Sequence, residues 1–228
     1  MPIGADGAVA RHRVRRRGSG RRGPLRGLSG PVDAVDQIID LARVNVPLDV
    51  PGLFGGTVPL EVELGAGKGR FLLEWGAAHP EIGLIGVERA RIYLEMAARR
   101  AARGGLANVR LLHTTAEDLL FRCLTADSVV AVHVYFPDPW PKTRHLKRRF
   151  FRPENVARLA EVLAPGGLLR VKTDHDGYAA MIARVLAAEG RLQPVAAAAA
   201  FAAIPASNFE VKYAREGRLV HRFAFRRL

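Results

Sequence analysis

Strand-like and helix-like segments alternate along most of this sequence, and this alternation limits the possible folds more than any other feature. The first pair is an apolar strand predicted at Leu60–Leu64 and a helix predicted at Arg70–Ala78. Parallel strands cannot be joined by a tight turn, and an intervening helix is their usual connection. The alternation therefore predicts an α/β fold with a doubly wound, mostly parallel sheet.

Further elements follow in the same order. Strands are predicted at 82–87, 109–112, 128–136 and 168–173, and helices at 90–103, 116–121, from Pro153 onward and at 177–188. The helix from Pro153 is predicted to stop at the Pro-Gly-Gly sequence of residues 165–167. Residues 211–213 and 219–225 predict a closing pair of strands, so that the C-terminal strand is antiparallel. Apolar residues from Val32 to about Asn45 recur at helical spacing and predict one more helix.

Residues 1–30 differ in composition from the rest of the chain. They contain eight arginines among glycines, with Asp6 as the only acid, and so contribute +7 to a net charge of +13. Such a segment has too little apolar surface to offset the entropy of ordering it, and we predict a disordered tail. The tail can be a passive solubilising segment, an arm that contacts RNA, or an organellar transit peptide. Residues 31–228 are predicted to form a single domain.

The remaining composition limits the class of protein. The high positive charge favours a polyanionic partner, because Lys and Arg displace counterions from phosphates. Cys123 is the only cysteine, so the chain has neither an internal disulfide nor an all-cysteine metal site. His113, His133 and His145 lack metal-ligand spacing, so we predict structural or solvated histidines and no metal. The apolar run 195–204 is too short to cross a membrane, which predicts a soluble cytoplasmic protein.

Three alternating glycines follow the strand Leu60–Leu64. Gly65, Gly67 and Gly69 stand between this strand and the next helix, where glycine lets the backbone approach a ligand closely. A dinucleotide-binding fingerprint would have its third glycine one residue later. The spacing therefore fits a pyrophosphate site poorly, and it fits the loop that encloses the amino-acid end of S-adenosylmethionine. The alternative is a purely structural turn.

Two acids accompany this glycine turn. Glu88 ends the second strand, 19 residues beyond Gly69, where a carboxylate can hold both hydroxyls of a ribose. Glu63 lies just before the glycines, near the buried end of its strand, and an acid there is costly unless it is paired. We predict that Glu63 accepts hydrogen bonds from the loop or from the ammonium group of the ligand. A salt bridge to Lys68 or Arg70 is the alternative.

A proline-rich loop follows the fourth predicted strand. The sequence YFPDPWPK of residues 135–142 has three prolines that stiffen the backbone and present Asp138 and Trp140 in a defined geometry. Six cations come next: Lys142, Arg144, Lys147, Arg148, Arg149 and Arg152. Cations beside an aromatic residue suit a phosphate backbone with one base turned toward the pocket. The alternative is a solvated basic loop.

These motifs together resemble the bacterial tRNA (guanine-N7)-methyltransferase family. The resemblance rests on VELGAGKGRF (62–71), GVE (86–88), YFPDPWPK (135–142) with RHLKRR (144–149), and KTD (172–174). It implies a Rossmann-like class I methyltransferase fold and S-adenosylmethionine as cofactor. It also implies methyl transfer to N7 of guanosine 46 in the variable loop of tRNA. The oligomeric state stays open between monomer and homodimer.

The resemblance also implies roles for individual residues. The implied cofactor-binding residues are Glu63, Gly65, Gly67, Glu88, Thr115 and Asp138, and the implied substrate-binding residues are Lys142, Asp174, Ser207, Asn208, Phe209 and Glu210. Thr115 stands where the family has an acid for the adenine amino group, and either its hydroxyl or Glu117 can take that place. Ser207 and Asn208 replace a Thr-Lys pair of the family.

The acceptor atom determines what the catalytic residue has to do. N7 of guanine has a free lone pair and no proton, so methyl transfer to it needs no general base. The product ring is positively charged, and a nearby carboxylate stabilises that charge as it develops. Asp138, between two prolines, is the predicted catalytic residue. The alternatives are the same chemistry on another RNA or a small molecule, and an RNA-binding protein that has lost its cofactor.

Overall fold

The structure is a computed structural model that describes residues 37–228. The predicted tail of residues 1–30 lies outside the described residues, and so does the first part of the helix predicted from Val32. The division between a tail and a domain at residue 31 therefore stays a prediction. Between residues 37 and 228, no helix combines the length and the apolar character that a membrane crossing requires.

Strands and helices alternate through the described residues, as predicted. The strands are β1 (Ile38–Ile39), β2 (Leu60–Leu64), β3 (Gly83–Val87), β4 (Val109–Leu112), β5 (Val129–Tyr135), β6 (Leu163–Thr173), β7 (Leu192–Pro194) and β8 (His221–Arg227). The helices are α1 (Val50–Phe54), α2 (Arg70–Ala78), α3 (Arg91–Arg103), α4 (Ala116–Asp118), α5 (Pro153–Val162), α6 (Asp176–Ala187), α7 (Ala197–Ala200) and α8 (Asn208–Arg215). A π-helical turn (Leu119–Cys123) continues α4, and a 3-10 helix (Thr143–Arg148) follows β5.

The described strands form one sheet in the order β1-β4-β3-β2-β5-β6-β8-β7. The pairs from β1 to β6 are parallel, and β8 runs antiparallel to both β6 and β7. This confirms the doubly wound sheet with an antiparallel C-terminal strand. The strand order reverses direction between β2 and β5. In open α/β sheets, ligands bind beyond the carboxyl ends of the strands at such a switch point.

Apolar side chains fill both faces of the sheet. On one face Phe151, Leu159 and Ile182 join the core under α5 and α6, and on the other Phe71 and Leu94 pack from α2 and α3. Every residue of β2 and of β3 is buried. A strand covered by helices on both faces has almost no solvent-facing side chains. Any charged residue in β2 therefore needs a specific reason to be there.

The helix predicted from Val32 to about Asn45 is wrong in its described part. Ile38 and Ile39 form the short edge strand β1, which pairs with β4 in parallel and places Ile38 opposite Leu111. Turns follow it from residue 41. Two adjacent isoleucines fit a strand as well as a helix, because β-branched side chains favour pleated backbone. The open edge of β4 provides hydrogen-bond partners that an isolated segment lacks.

The strand predicted at 211–213 is also wrong, because these residues lie within α8. The side chain of Ser207 accepts a hydrogen bond from the amide of Glu210, and the Glu210 carboxylate accepts one from the amide of Ser207. This reciprocal capping box, Ser-x-x-Glu, marks a helix start and is legible in the sequence. The strand predicted at 219–225 is confirmed as β8, but its partners are β6 and the unpredicted β7.

The strand predicted at 168–173 begins earlier, at Leu163, so β6 includes the Pro-Gly-Gly sequence of residues 165–167. The register between β5 and β6 shifts there, since Val129 faces Leu163 and Ala131 faces Leu168. A Cβ atom on Gly167 would lie 2.8 Å from the carbonyl oxygen of Ala164. The helix α5 thus ends at Val162, before the Pro-Gly-Gly sequence that was predicted to stop it, and this sequence lies inside an irregular strand start.

Gly86 in β3 provides a test of this packing. A Cβ atom there would lie 2.1 Å from Cδ1 of Leu72 and 3.1 Å from Cβ of Ala66, both buried. We expect Gly86→Ala to lower the free energy of unfolding by about 1–3 kcal/mol, the usual cost of overpacking. Urea denaturation measures this value. Gly56→Ala is the control, because nothing lies within 4 Å of its Cβ position. Equal stability of the two variants would contradict the packing described.

Candidate active site

The glycine turn lies at the carboxyl end of β2, beside the switch point. Gly65, Gly67 and Gly69 have φ values of +85°, +53° and +73°, a region that side chains disfavour. The amides of Gly65 and Ala66 both donate to the carbonyl oxygen of Val87, at 2.9 and 2.8 Å. A Cβ atom on Gly69 would lie 2.7 Å from Cβ of Ala97, so α3 packs directly against the turn. The turn therefore needs its glycines.

Glu88 holds this turn from the end of β3. Its Oε2 accepts a hydrogen bond from the amide of Gly67 at 2.9 Å, and its Oε1 accepts one from the amide of Ala90 at 2.7 Å. A carboxylate oxygen has two lone pairs, so each oxygen retains one for a further donor. Glu88 therefore binds the backbone through both oxygens and still has two lone pairs that can accept hydrogen bonds from the predicted ribose hydroxyls.

Glu63 is the unusual residue of the site. Only 4% of it is exposed, and its Oε2 has no hydrogen-bond partner among the described residues. Burial raises the pKa of Glu63 well above 4.5, the charge of Glu88 raises it further, and Lys172 opposes both. The salt bridge considered as an alternative is absent here, since Arg70 pairs with Glu74 and Lys68 lies over the ring of Tyr93. A buried carboxyl oxygen without a partner among the described residues suits a cationic group.

Thr115 begins α4 and is exposed. Its hydroxyl oxygen accepts a hydrogen bond from the amide of Asp118 at 3.1 Å, as helix-capping threonines do. The neighbouring Thr114 donates its hydroxyl to the Asp118 carboxylate at 2.6 Å. The hydroxyl of Thr115 therefore has a structural partner already, and its adenine-side role stays a prediction.

The proline loop leaves β5 with a constrained backbone. Phe136 and Trp140 have φ values of +56° and +40°, which non-glycine residues adopt only where the surroundings hold them. The amide of Phe136 donates to the carbonyl oxygen of Lys172 at 2.8 Å, and Nε of Arg149 donates to the carbonyl oxygen of Pro139 at 2.7 Å. Asp138 lies exposed between these two tethers. The loop is therefore held at its start and at its middle, on either side of Asp138.

The six cations after the loop do not act as one group. Arg149 is buried, with its guanidinium 4.7 Å from the centre of the Tyr178 ring, and it supports the loop from inside. Arg152 pairs with Glu154 at 3.2 Å, and Arg148 stacks on Trp140 at 5.0 Å. The cations exposed to solvent are Lys142, Arg144, Lys147 and Arg148. A basic surface exists here, but it is smaller than the sequence suggested.

The predicted substrate-binding residues lie on three elements. Lys142 is exposed at the end of the proline loop, and Asp174, after β6, pairs with Arg218 at 2.9 Å. Ser207, Asn208, Phe209 and Glu210 form the start of α8. The half-exposed ring of Phe209 lies 5.7 Å from the ring of Phe136, which brings α8 against the proline loop.

A buried polar network beneath the site was not predicted. Glu61 Oε2 accepts from Nε1 of Trp75 at 2.9 Å and lies 2.8 Å from Nε2 of His133, whose Nδ1 lies 2.8 Å from the Tyr135 hydroxyl. Burial lowers the pKa of His133, although Glu61 opposes this. The prediction of a structural His133 is confirmed. The sequence did contain a signal for this network. Glu61 and Glu63 are two residues apart in a strand, and so are His133 and Tyr135, which places each pair on one face of the sheet.

Lys172 is another residue for which the sequence predicted no role. It is 2% exposed, and its Nζ lies 2.6 Å from Oε2 of Glu210. Burial lowers the pKa of Lys172, while its bond to Glu210 opposes this.

Among residues 37–228, no group of three or more His, Cys, Asp or Glu side chains is arranged to hold a metal ion.

The arrangement agrees with the comparisons with known proteins. A family model described as "Putative methyltransferase" matches residues 57–223. A tRNA (guanine-N(7)-)-methyltransferase of Mycobacterium avium (strain 104) is 39% identical over 211 residues, covering 91% of this chain and 79% of that protein. The chain belongs to this tRNA (guanine-N7)-methyltransferase family. The resemblance read from the motifs is therefore confirmed.

Two further relatives carry the same name. The protein of Halorhodospira halophila (strain DSM 244 / SL1) is 36% identical over 217 residues, covering 93% of each chain. That of Nocardia farcinica (strain IFM 10152) is 46% identical over 143 residues, covering 63% of this chain. The match spans 53%, about half, of the length of the Nocardia relative.

Solved structures support the fold class of this family member. The 16S rRNA methyltransferase KamB has a TM-score of 0.53 at 19% identity, covering 74% of this chain and 87% of that one. An antibiotic-related methyltransferase has a TM-score of 0.53 at 15% identity, covering 77% and 92%. At these identities the likeness concerns the fold alone, which is that of class I methyltransferases.

The raised pKa of Glu63 predicts a pH effect on stability without ligand. The folded protein keeps a proton on Glu63 at pH values where the unfolded chain, with a pKa near 4.5, has released it. Stability therefore falls as the pH rises above about 4.5, because the folded state then binds more protons than the unfolded state. We expect Glu63→Gln to remove this loss. The free energy of unfolding of the variant should therefore increase relative to that of the wild type as the pH rises.

Urea denaturation from about pH 4 to about pH 8 measures this difference. Glu81→Gln is the control, because Glu81 is an exposed glutamate outside the site. A difference between Glu63→Gln and wild type that does not change with pH would show that the Glu63 carboxyl has the same pKa in both states.

Proposed function

We propose that this chain transfers a methyl group from S-adenosylmethionine to N7 of guanosine 46 in the variable loop of tRNA. The observation that carries the proposal is the proline loop of residues 135–142. It leaves β5 at the switch point, its backbone is held by two hydrogen bonds, and it is followed by exposed cations. The names of the Mycobacterium and Halorhodospira relatives support the choice of tRNA and of N7.

The residues around the glycine turn fit the cofactor. The carboxylate of Glu63, buried and with an unpartnered oxygen, suits the ammonium group of the methionine part. The open backbone at Gly65 and Gly67 admits a ligand, since no atom of the described residues, apart from the chain neighbours, lies within 4 Å of either Cβ position. Glu88 has the spare lone pairs for the ribose, and Thr115 and Asp138 complete the proposed set. When bound, S-adenosylmethionine supplies an electrophilic methyl group on a sulfonium.

The other side of the loop fits RNA. Lys142, Arg144 and Lys147 are exposed and can contact phosphates. Phe209 presents a half-exposed aromatic ring next to Phe136, and unpaired bases stack on such rings. A guanosine turned out of the tRNA would thus meet the loop and the start of α8. The proposed substrate-binding residues Lys142, Asp174, Ser207, Asn208 and Phe209 lie at the end of this loop, directly after β6 and at the start of α8.

This methyl transfer requires the protein to align the two reactants and to stabilise the positive charge that develops. N7 attacks with its own lone pair, so no residue has to remove a proton. Holding the two reactants in line can supply several kcal/mol through proximity. Asp138 is the proposed catalytic residue, because a carboxylate beside the purine stabilises the positive charge that develops on the ring. Its position between Pro137 and Pro139 limits the reorganisation that this requires.

Methylation of a defined tRNA tests the proposal. Unmodified tRNA transcripts with guanosine or adenosine at position 46 are incubated with the full chain and S-adenosylmethionine, and the nucleosides are analysed by mass spectrometry. We expect 7-methylguanosine from the first transcript and none from the second. Methylation of both transcripts would place the reaction at another guanosine. Methylation of neither, with product from another RNA, would overturn tRNA as the substrate.

The role of Asp138 predicts a pH profile. We expect Asp138→Asn to slow single-turnover methylation by about 10²-fold, the scale of one lost electrostatic contact in a transition state. The rate should be nearly independent of pH above the range where carboxylates titrate, in both wild type and variant. Asp127→Asn is the matched control, since Asp127 lies before β5, at the opposite end of the strand from the loop. At saturating S-adenosylmethionine, where cofactor binding no longer limits the rate, a rate that rises with pH near neutrality would indicate a required base and contradict attack by N7.

A further inference from the structure

Lys172 lies at the centre of the site although none of the proposed roles involves it. It is almost completely buried near the carboxyl end of β6, with its Nζ 2.6 Å from Oε2 of Glu210. The same Nζ lies 4.6 Å from the ring centre of Tyr135 and 5.1 Å from that of Phe201. A buried cation is costly unless it is paired, and here one carboxylate and two rings compensate for the lost water.

The carboxylate of Glu210 is already occupied within the chain. Its Oε2 accepts from Nζ of Lys172 and from the amide of Ser207, and its Oε1 accepts from Arg222 at 3.0 Å. Both lone pairs of Oε2 are thereby used. Glu210 consequently has little capacity left for a base, and its bonds instead attach the first turn of α8 to the sheet.

α8 depends on this attachment more than most helices do. None of its residues from Asn208 to Arg215 is buried, so apolar burial contributes little to its position. The ion pair with Lys172 attaches α8 to β6 and is largely buried, with 2% and 11% of the two side chains exposed. The side chain of Phe209 then meets Phe136 of the proline loop.

Lys172 also touches the other parts of the site. Its carbonyl oxygen accepts the amide of Phe136, where the proline loop begins, at 2.8 Å. Its charge acts on Glu63, the acid assigned to the cofactor. One residue therefore contacts or influences the cofactor acid, the proline loop and the substrate-side helix.

We propose that Lys172 is a positioning residue that fixes α8 for RNA binding through Glu210, and that Glu210 is an anchor and not a contact to the base. This inference rests on the proposed function only where it concerns tRNA. The position of α8 can be measured without any activity.

The main test is Lys172→Met in the full chain, which keeps the length of the side chain and removes its charge. We expect faster amide hydrogen exchange in residues 208–215, with unchanged exchange in α2. We expect the KM for tRNA to rise by about tenfold or more, and the Kd for S-adenosylmethionine to rise by less, because Lys172 acts on Glu63 only through its charge. The slope of tRNA affinity against salt should not change, because a buried ammonium makes no phosphate contact.

Three further variants complete the test. Lys172→Arg should restore the exchange protection of α8, since a cavity of about 570 Å³ beside Lys172 gives room for the larger group. Lys212→Met removes an exposed cation of α8 itself and should leave the exchange of α8 unchanged. Lys172→Met with Glu210→Met removes both charges, so it leaves no unpaired buried ion if the single variant fails to fold. This double variant should fold and still show the raised KM for tRNA.

Unchanged hydrogen exchange of α8 in Lys172→Met, or in the double variant, would overturn the proposal. An equal loss of cofactor and tRNA binding would do so too, because it would indicate a general structural role. A wild-type chain that methylates no tRNA would instead contradict the proposed function. The exchange measurement would still decide whether Lys172 holds α8.

Discussion

The structure depends on two carboxylates that share one face of a buried strand. β2 is the central strand at the switch point, and it has helices on both sides. Glu61 is compensated by Trp75 and His133, and the bonds from His133 keep its pKa low although burial acts to raise it. Glu63, two residues on, has an oxygen without a hydrogen-bond partner in the described part of the chain. Two glutamates of nearly equal burial thus differ in their surroundings: the carboxylate of Glu61 is hydrogen-bonded by Trp75 and His133, and Glu63 lacks such bonds at its Oε2.

The surroundings of Glu63 follow from this difference. The glycine turn comes directly after it, and Glu88 secures that turn through the amides of Gly67 and Ala90. On the other side Lys172 moderates the burial penalty of Glu63 and forms its ion pair with Glu210. Charge is therefore distributed across the sheet, from β2 to β6 with β5 between them, so that the proposed cofactor side and the proposed substrate side share a cation. This links two halves of the site that are more than 100 residues apart in sequence.

Much of the fold was predictable because its signals are local. The strand Leu60–Leu64 and the helix Arg70–Ala78 have the predicted bounds, since apolar periodicity and glycine spacing act within a few residues. Residues 211–213 were misread as a strand although the capping box at Ser207 was legible. The edge strand β1 was missed for another reason: its strand form depends on β4, some 70 residues away. In the site, the motifs identified the glycine turn and the proline loop, while the network of Glu61 and the ion pair of Lys172 went unseen.

The sequence by itself determined the fold class, the family and the segments that form the site. Glycines that need positive φ, prolines that restrict φ, and alternating apolar patterns are properties of short stretches of chain. Only the tertiary structure decided which charged groups are paired. It placed Arg149 inside as a support for the proline loop and joined Lys172 to Glu210 from elements 38 residues apart. The reason is physical: the cost of a buried charge depends on the partners that folding brings to it, and sequence spacing contains no such distances.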